Sequence, residues 1–505
     1  MTDIVLTADR TIMSAHHNSE FLGFGTCIPP FVLPTSVYGR LFFPPVKAKQ
    51  GVATIAPYAL RKVEAKLTDL GFDATVAHPA HLKRFEDAKV IGISTMDPFG
   101  WGPASSTFGA VLKKGEPFNA FFFRKLMESN SIKRAKENGA RIIVGGPGAW
   151  QFEHKKDFAA EHGIDCIVMG EVENDADTIF RKAIDGEKLP LFYEAYKSPA
   201  PSLEEIPEIK HASVNGLVEI GRGCPRGCPF CDVTKRRLRW YPLDKIEREL
   251  EVNNREGVYS GIMHSEDVLL YGVHGVKPDI EKIDKLFRLF AKHYKRLSWS
   301  HTSIAAVASE PRAAELASEL FLDEQDWFGV EIGIETGSPA LIERSMPAKA
   351  KPFEAKDWQD MVCRSLGILH DNHIVPACTL IVGLPDERED DVLATIDLMD
   401  RIKDYRCMVV PLFFVPLGRL EDRDWFRAEE LSEAQIELLE ICLSHGLRWS
   451  KELARGYNKG HVYSPMVNAS LIGFIRMIER VAKRRDLLPN VSSSSQSAQK
   501  GRRCA

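Results

Sequence analysis

The sequence predicts an α/β protein made of two successive parallel-sheet regions and a helical end. Three observations carry this. From about residue 51 to 197, short apolar runs alternate with helical stretches, the order of a doubly wound sheet covered on both faces. After a proline-rich linker, Ser198-Pro-Ala-Pro-Ser-Leu-Glu-Glu-Ile-Pro207, strand and helix repeat about six times. Beyond Gly418 the pattern turns helical, from Leu431 to Ala454 and from Ser470 to Arg485.

In chain order, residues 1–50 are rich in Pro, Phe and small residues without sustained period, and read as an irregular arm. A helix from Tyr58 to Leu70 stops at Gly71. Strands follow at Ala74–Ala77 and Val90–Ile93, at Arg141–Val144 before Gly145-Gly146, and at Cys166–Met169 before Gly170-Glu171. Ligands of such sheets bind beyond the carboxyl ends of strands, where Ser94, Thr95, Gly145, Gly146, Gly170 and Glu171 fall. The insertion 98–123 reads as a cover or a packed loop. The linker spans 198–212, the second sheet region 213–420 and the helical region 421–490. Its strand candidates are 217–222, 259–264, 297–301, 328–334, 376–382 and 408–415. Residues 491–505 are simple and polar, the composition of a disordered tail.

Lys and Arg number 66 against 70 Asp and Glu, a net charge of −4, which counts against a nucleic-acid partner. No apolar run reaches the roughly 18 residues a membrane helix needs, and the polar start lacks a signal-peptide layout. A cytoplasmic protein is expected. Ten cysteines without a disulfide framework agree with that compartment.

Three of them form Gly223-Cys224-Pro-Arg-Gly-Cys228-Pro-Phe-Cys231, a C-x3-C-x2-C triplet behind the apolar run 217–220. Thiolates ligate iron–sulfur clusters, and three from one loop leave one iron of a [4Fe-4S] cluster open to a small molecule. A zinc loop is the plainer alternative. It needs a fourth Cys or His at ligand spacing, and the other seven cysteines (27, 166, 363, 378, 407, 442, 504) are scattered.

The triplet, with Phe230 as its aromatic, is similar to the signature of the radical S-adenosylmethionine (SAM) family. That resemblance implies a partial (β/α)6 barrel, SAM bound through its amino and carboxylate groups to the open iron, and one-electron cleavage to a 5′-deoxyadenosyl radical. It also implies SAM contacts at Phe230, at Glu266 and Asp267 after the second strand, and at Ser303 after the third. Val330-Glu-Ile-Gly-Ile-Glu335-Thr-Gly-Ser338 resembles the family's GIE(S/T)GS phrase and nominates Glu335. Gly383-Leu-Pro385-Asp-Glu resembles its GLPGE turn beside the adenine. Alternation along the fourth strand sets Glu331, Gly333 and Glu335 on one face.

The phrases IIVGGPGAW and CIVMGEVEND resemble the Rossmann-like cobalamin (B12)-binding domain of one subgroup. This implies cobalamin at the six residues beyond the first sheet, and methylation of an unactivated centre of a small-molecule, lipid or peptide substrate. An electron donor such as flavodoxin or ferredoxin is implied as well. The D-x-H-x-x-G motif of other cobalamin proteins is absent; Asp371-Asn-His373 is followed by Pro376 in place of glycine. Alternatives stay open: a methylthiotransferase, a cyclase or rearrangement enzyme, and a non-enzymatic cobalamin or redox carrier. Methylthiotransferases carry three further cysteines in their first domain and an RNA-binding β-barrel at the end, whereas here only Cys27 and Cys166 precede residue 200 and the end reads as helical. The basic run Lys235-Arg-Arg-Leu-Arg239 reads as a solvated face or a donor-docking patch, and the amphipathic stretch from Leu471 as a docked or membrane-surface helix.

Overall fold

The computed structural model describes residues 2–16, 23–29, 35–112 and 115–456, and then 472–473, 475–476 and 479–480. The tail 491–505, with Cys504, lies outside the described residues. The chain divides into two compact units, one of residues 1–225, 230–301 and 417–419, the other of 226–229, 302–416 and 420 onward.

The first unit opens with a six-stranded parallel sheet: β1 (Ile4–Ala8), β2 (Ala74–Val76), β3 (Val90–Ser94), β4 (Arg141–Gly145), β5 (Cys166–Met169) and β6 (Phe192–Glu194), in the order β2-β1-β3-β4-β5-β6. Alternate residues serve opposite faces. Ile4, Leu6, Val90 and Ile143 pack with Leu60 and Leu67 of the helix Tyr58–Asp69 and with Phe180 of Ala176–Ile184. Val5, Ile91, Ile142 and Val144 pack with Phe123 of Phe118–Met127 and Ile132 of Asn130–Glu137. Each such side chain contributes about 1.5–3 kcal/mol by leaving water.

The irregular arm expected over residues 1–50 is corrected at its start, because β1 is an interior strand paired on both edges. All five of its residues are buried, so its polarity does not alternate, and five residues carry no helical period. A helix, Thr35–Phe42, follows later in the arm, and its Tyr38 stacks on Phe118 at 4.2 Å. The insertion forms helices at Pro103–Leu112 and Phe118–Met127. The Asp97 carboxylate holds its beginning by accepting hydrogen bonds from the Trp101 and Gly102 amides and from Gln151 Nε2.

The same unit continues with β7 (Val218–Glu219), β8 (Ser260–His264) and β9 (Arg296–Trp299), parallel in the order β9-β8-β7. Helices Leu243–Arg255 and Ile280–His293 separate them. The second unit has a sheet in the order β10 (His301–Thr302, at the boundary), β11 (Phe328–Glu335), β12 (Ile374–Val382) and β13 (Met408–Phe413). Helices Pro311–Phe321, Trp358–Asp371 and Glu389–Ile402 intervene. The repeated strand–helix order of a partial barrel is thus present, followed by the helix Glu433–Gly456. Of the expected helix 470–485, the six described residues are helical, and Ile475 packs against Leu447.

Candidate functional site

The cysteine loop is an excursion from a two-stranded ribbon in which Gly221–Arg222 pairs antiparallel with Arg239–Trp240. Two glycines permit the crossing. A Cβ on Gly221 would meet the Arg239 carbonyl at 2.8 Å, and Gly223, with φ +84°, would meet that of Arg236 at 2.8 Å. Cys224, Cys228 and Cys231 are half-buried and free of disulfides. Both the amide and the hydroxyl of Thr234 donate to the Cys231 carbonyl. Among the described residues no three His, Cys, Asp or Glu are arranged to hold a single metal ion. A cubane makes no such demand, since each thiolate takes a different iron.

Residues 226–229 belong to the second unit. There the buried Arg226 guanidinium donates through Nη1 to the carbonyls of Ala348, Lys349 and Lys351 at 3.3, 3.1 and 2.8 Å. The clamp fixes the turn that carries Lys349. Burial pushes the Cys228 thiol up; Lys349 and Arg226 oppose that push, and Glu335 adds to it.

Glu335 ends β11 in the left-handed region at φ +65°, with the strand register shifting between Gly333 and Glu335. Its carboxylate folds back over Gly333, where any Cβ would collide with Oε1. Lys349 Nζ lies 2.8 Å from Oε1, and Thr379 Oγ1 donates to Oε2 at 3.2 Å. Burial works against the Lys349 charge, but Glu335 and then Cys228 outweigh it and raise its pKa above the ordinary value. The simple alternation expected for this strand therefore stops at Ile334, and the buried carboxylate has a cation of its own.

Glu266 is half-buried and Asp267 buried just beyond β8. The preceding Ser265 exchanges hydrogen bonds with Ser300 through its backbone, while its own hydroxyl is buried without a partner. Ser303 caps the helix Ile304–Ser309, its hydroxyl accepting from the Ala306 amide at 3.2 Å. Gly383, at φ +82°, packs where a Cβ would strike the Phe426 ring, and its amide donates to Glu387. Pro385 is half-buried in the same turn. Burial raises the Glu387 carboxyl despite the Gly383 amide and the Gln435 side chain. Phe230 is half-buried.

Beyond the first sheet, Ser94, Thr95, Gly145 and Gly146 come together. The Thr95 amide donates to the Gly145 carbonyl, and Gly146, at φ +103°, leaves no room for a Cβ between Thr95 O at 2.6 Å and Ser94 Oγ at 2.9 Å. The buried Thr95 hydroxyl has no protein partner, which suits a ligand rich in amide groups such as cobalamin. Gly170 and Glu171 are engaged otherwise. A Cβ on Gly170 would lie 2.5 Å from the Tyr196 amide nitrogen, so the neighbouring loop fills that space. The Glu171 carboxylate receives Arg239 Nη2 at 2.6 and 2.8 Å.

That contact belongs to a buried network absent from the sequence expectations. Arg222 gives Nε to Glu219 at 2.9 Å and Nη1 to Glu173 at 2.7 Å, and Tyr241 donates its hydroxyl to Glu219 at 2.6 Å. Burial alone would raise Glu219, but Arg222 and Lys62 hold its pKa at about 2. Of the basic run, Lys235, Arg236 and Arg237 are exposed, whereas Arg239 is buried. Arg222 stands beside the first cysteine, and that adjacency was the only available signal.

Comparison with known proteins places the domain. Residues 218–399 match the radical SAM superfamily. The tRNA-2-methylthio-N(6)-dimethylallyladenosine synthase of Thermotoga petrophila is 22% identical over 289 residues, 55% of this chain and 59% of that one. Its counterpart in Syntrophomonas wolfei is 25% identical over 288 residues, 56% and 60%. The chain thus spans about three fifths of the length of these relatives. Among solved structures, the radical SAM methyltransferase TsrM of Kitasatospora setae, with cobalamin and [4Fe-4S] cluster bound, superposes with a TM-score of 0.52 at 14% identity. The match covers 83% of this chain and 77% of TsrM, and establishes likeness of fold. The similarity to the radical SAM superfamily thus spans residues 218–399, the strand–helix repeat that begins just before the cysteine loop.

Proposed function

We propose that this protein reductively cleaves SAM at a [4Fe-4S] cluster held by Cys224, Cys228 and Cys231, and uses cobalamin to methylate an unactivated centre of a small-molecule, lipid or peptide substrate. The observation that carries this reading is three half-buried cysteines, none in a disulfide, on one ribbon loop within the stretch that matches the radical SAM superfamily. When bound, the cluster supplies the electron that breaks the sulfonium, and cobalamin serves as methyl carrier. The protein's part is to hold and to orient. The thiolates leave one iron open, and Glu266 and Asp267 offer carboxylates to the ammonium of SAM. Glu335 presents a carboxylate balanced by Lys349, so it accepts a ligand's hydrogen bond without an uncompensated buried charge. Phe230 and the Gly383–Pro385 turn line the nucleoside end. Ser94, Thr95, Gly145 and Gly146 hold the corrin rim, with the Thr95 hydroxyl available to an amide. An electron donor of the flavodoxin or ferredoxin type completes the reaction.

The methylthiotransferase relatives favour a second reading. Against it, Cys27 is half-buried in the arm and Cys166 is sealed in β5, where the methylthiotransferase pattern asks for three cysteines.

Anaerobic reconstitution followed by SAM and dithionite tests the first step. 5′-Deoxyadenosine is expected, and a carrier protein would form none. Cys228→Ala should abolish the product while corrin absorption survives desalting; normal turnover in that variant refutes the assignment. Loss of corrin bands from the parent protein on desalting removes the cobalamin half of the reading.

A further inference from the structure

Arg222 and Arg239 face each other on the ribbon that bears the cysteine loop. Each gives its guanidinium to a carboxylate of one tetrapeptide, Gly170-Glu171-Val172-Glu173: Arg222 Nη1 to Glu173 at 2.7 Å, and Arg239 Nη2 to Glu171 at 2.6 and 2.8 Å. The contacts are shielded, since Arg222, Arg239 and Glu173 are each at most 8% exposed. The tetrapeptide is also fixed from behind, where Gly170, at φ +108°, abuts the backbone of Ala195 and Tyr196. Each guanidinium is also held by a second partner, Arg222 Nε by Glu219 and Arg239 Nη1 by the Pro201 carbonyl at 2.5 Å. Buried pairs with several satisfied partners fix orientation more than they add stability.

We propose that this rung is a seat for the cysteine loop: Arg222 and Arg239 are positioning residues for the cluster, and Glu171 and Glu173 serve them rather than a corrin. The inference rests on reading the loop as the cluster loop. It concerns how the first sheet holds the ribbon of the same unit, from which that loop springs, in register before any cofactor arrives.

The test uses the full chain with Glu173→Gln. In the metal-free protein, hydrogen exchange of peptides covering 218–242 should quicken about tenfold, while peptides from β12 stay unchanged. After reconstitution, the KM for SAM should rise about fivefold or more at full iron content, and Glu171→Gln should retain corrin to the parent's extent. Unchanged exchange together with unchanged KM overturns the proposal, as does corrin loss in Glu171→Gln without faster exchange. Should Glu173→Gln fail to fold, Arg222→Lys, which keeps the charge and gives up the fork, must show the same local quickening; native-like exchange there overturns it. A parent protein that cleaves no SAM defeats the proposed function, whereas the metal-free exchange result still decides the seat.

Discussion

Two buried charge centres handle the same problem differently. In the first unit, Glu171, Glu173 and Glu219 share two guanidiniums and a tyrosine hydroxyl. In the second, Glu335 depends on one ammonium and one threonine, and it sits in a left-handed backbone conformation. The shared network is redundant in its acceptors but not in its cations, while the single pair is strained and exchangeable. Redundancy suits an element that must stay in place; a lone partner suits a carboxylate that, under the proposed function, also meets SAM. Asp9 marks the limit of the series, since it is 3% exposed and takes its hydrogen bonds from Thr11 and neighbouring backbone groups rather than from a cation.

The largest expected effect lies in the network. Arg222→Ala leaves Glu219 and Glu173 buried without their common cation, and should cost about 3–5 kcal/mol in urea unfolding. A cost below about 1 kcal/mol would erase the contrast with Glu335.

Next comes pH. Burial raises Asp9 from 3.8 to about 6, so the folded state binds the proton more tightly than the unfolded chain. Stability from this group is therefore complete below about pH 4 and falls as pH rises towards 6, by about 2–3 kcal/mol. Asp9→Asn keeps the shape and loses the charge. Its stability relative to the parent should climb across that window and level off above it, and a flat difference between pH 4 and 7 would contradict the shift.

Gly333→Ala drives a methyl group into the Glu335 carboxylate and towards Lys349 Nζ at 2.8 Å. Thermal melts should show a loss of about 1–3 kcal/mol. SAM cleavage should suffer more than stability does if Glu335 meets SAM as proposed. Equal losses in Gly333→Ala and in a control such as Gly275→Ala, where a Cβ meets nothing within 4 Å, would dissolve the distinction. The smallest effect belongs to Ser303. Ser303→Ala removes a helix cap worth about 1 kcal/mol, and the KM for SAM will show whether the hydroxyl has a second duty.

Much of this was legible in the sequence, for reasons that are local. The cysteine triplet, the glycine-ended strands and the strand–helix repeat are each written in a few adjacent residues. What escaped depends on partners distant in the chain. Lys349 reaches Glu335 across a turn that Arg226 clamps from more than a hundred residues away, and no spacing rule announces it. Arg239 looked like one of a solvated basic run, yet the distant Glu171 carboxylate and the Pro201 carbonyl draw it inside. Glycines proved ambiguous in a physical sense. A missing Cβ shows that something approaches closely, but at Gly170 the visitor is the protein's own backbone, and sequence cannot tell that from a cofactor. β1 escaped for the opposite reason, since burial on both faces erases the alternation that marks a strand.

The interior position of β1 bears on how the protein is handled. A version trimmed to residue 50, tempting from composition, would strip Val90–Ser94 of the neighbour that pairs all five of its residues. The exposed row of amides and carbonyls would be flat, apolar and open to any passing chain, so such a shortened protein should come out of the cell as aggregate.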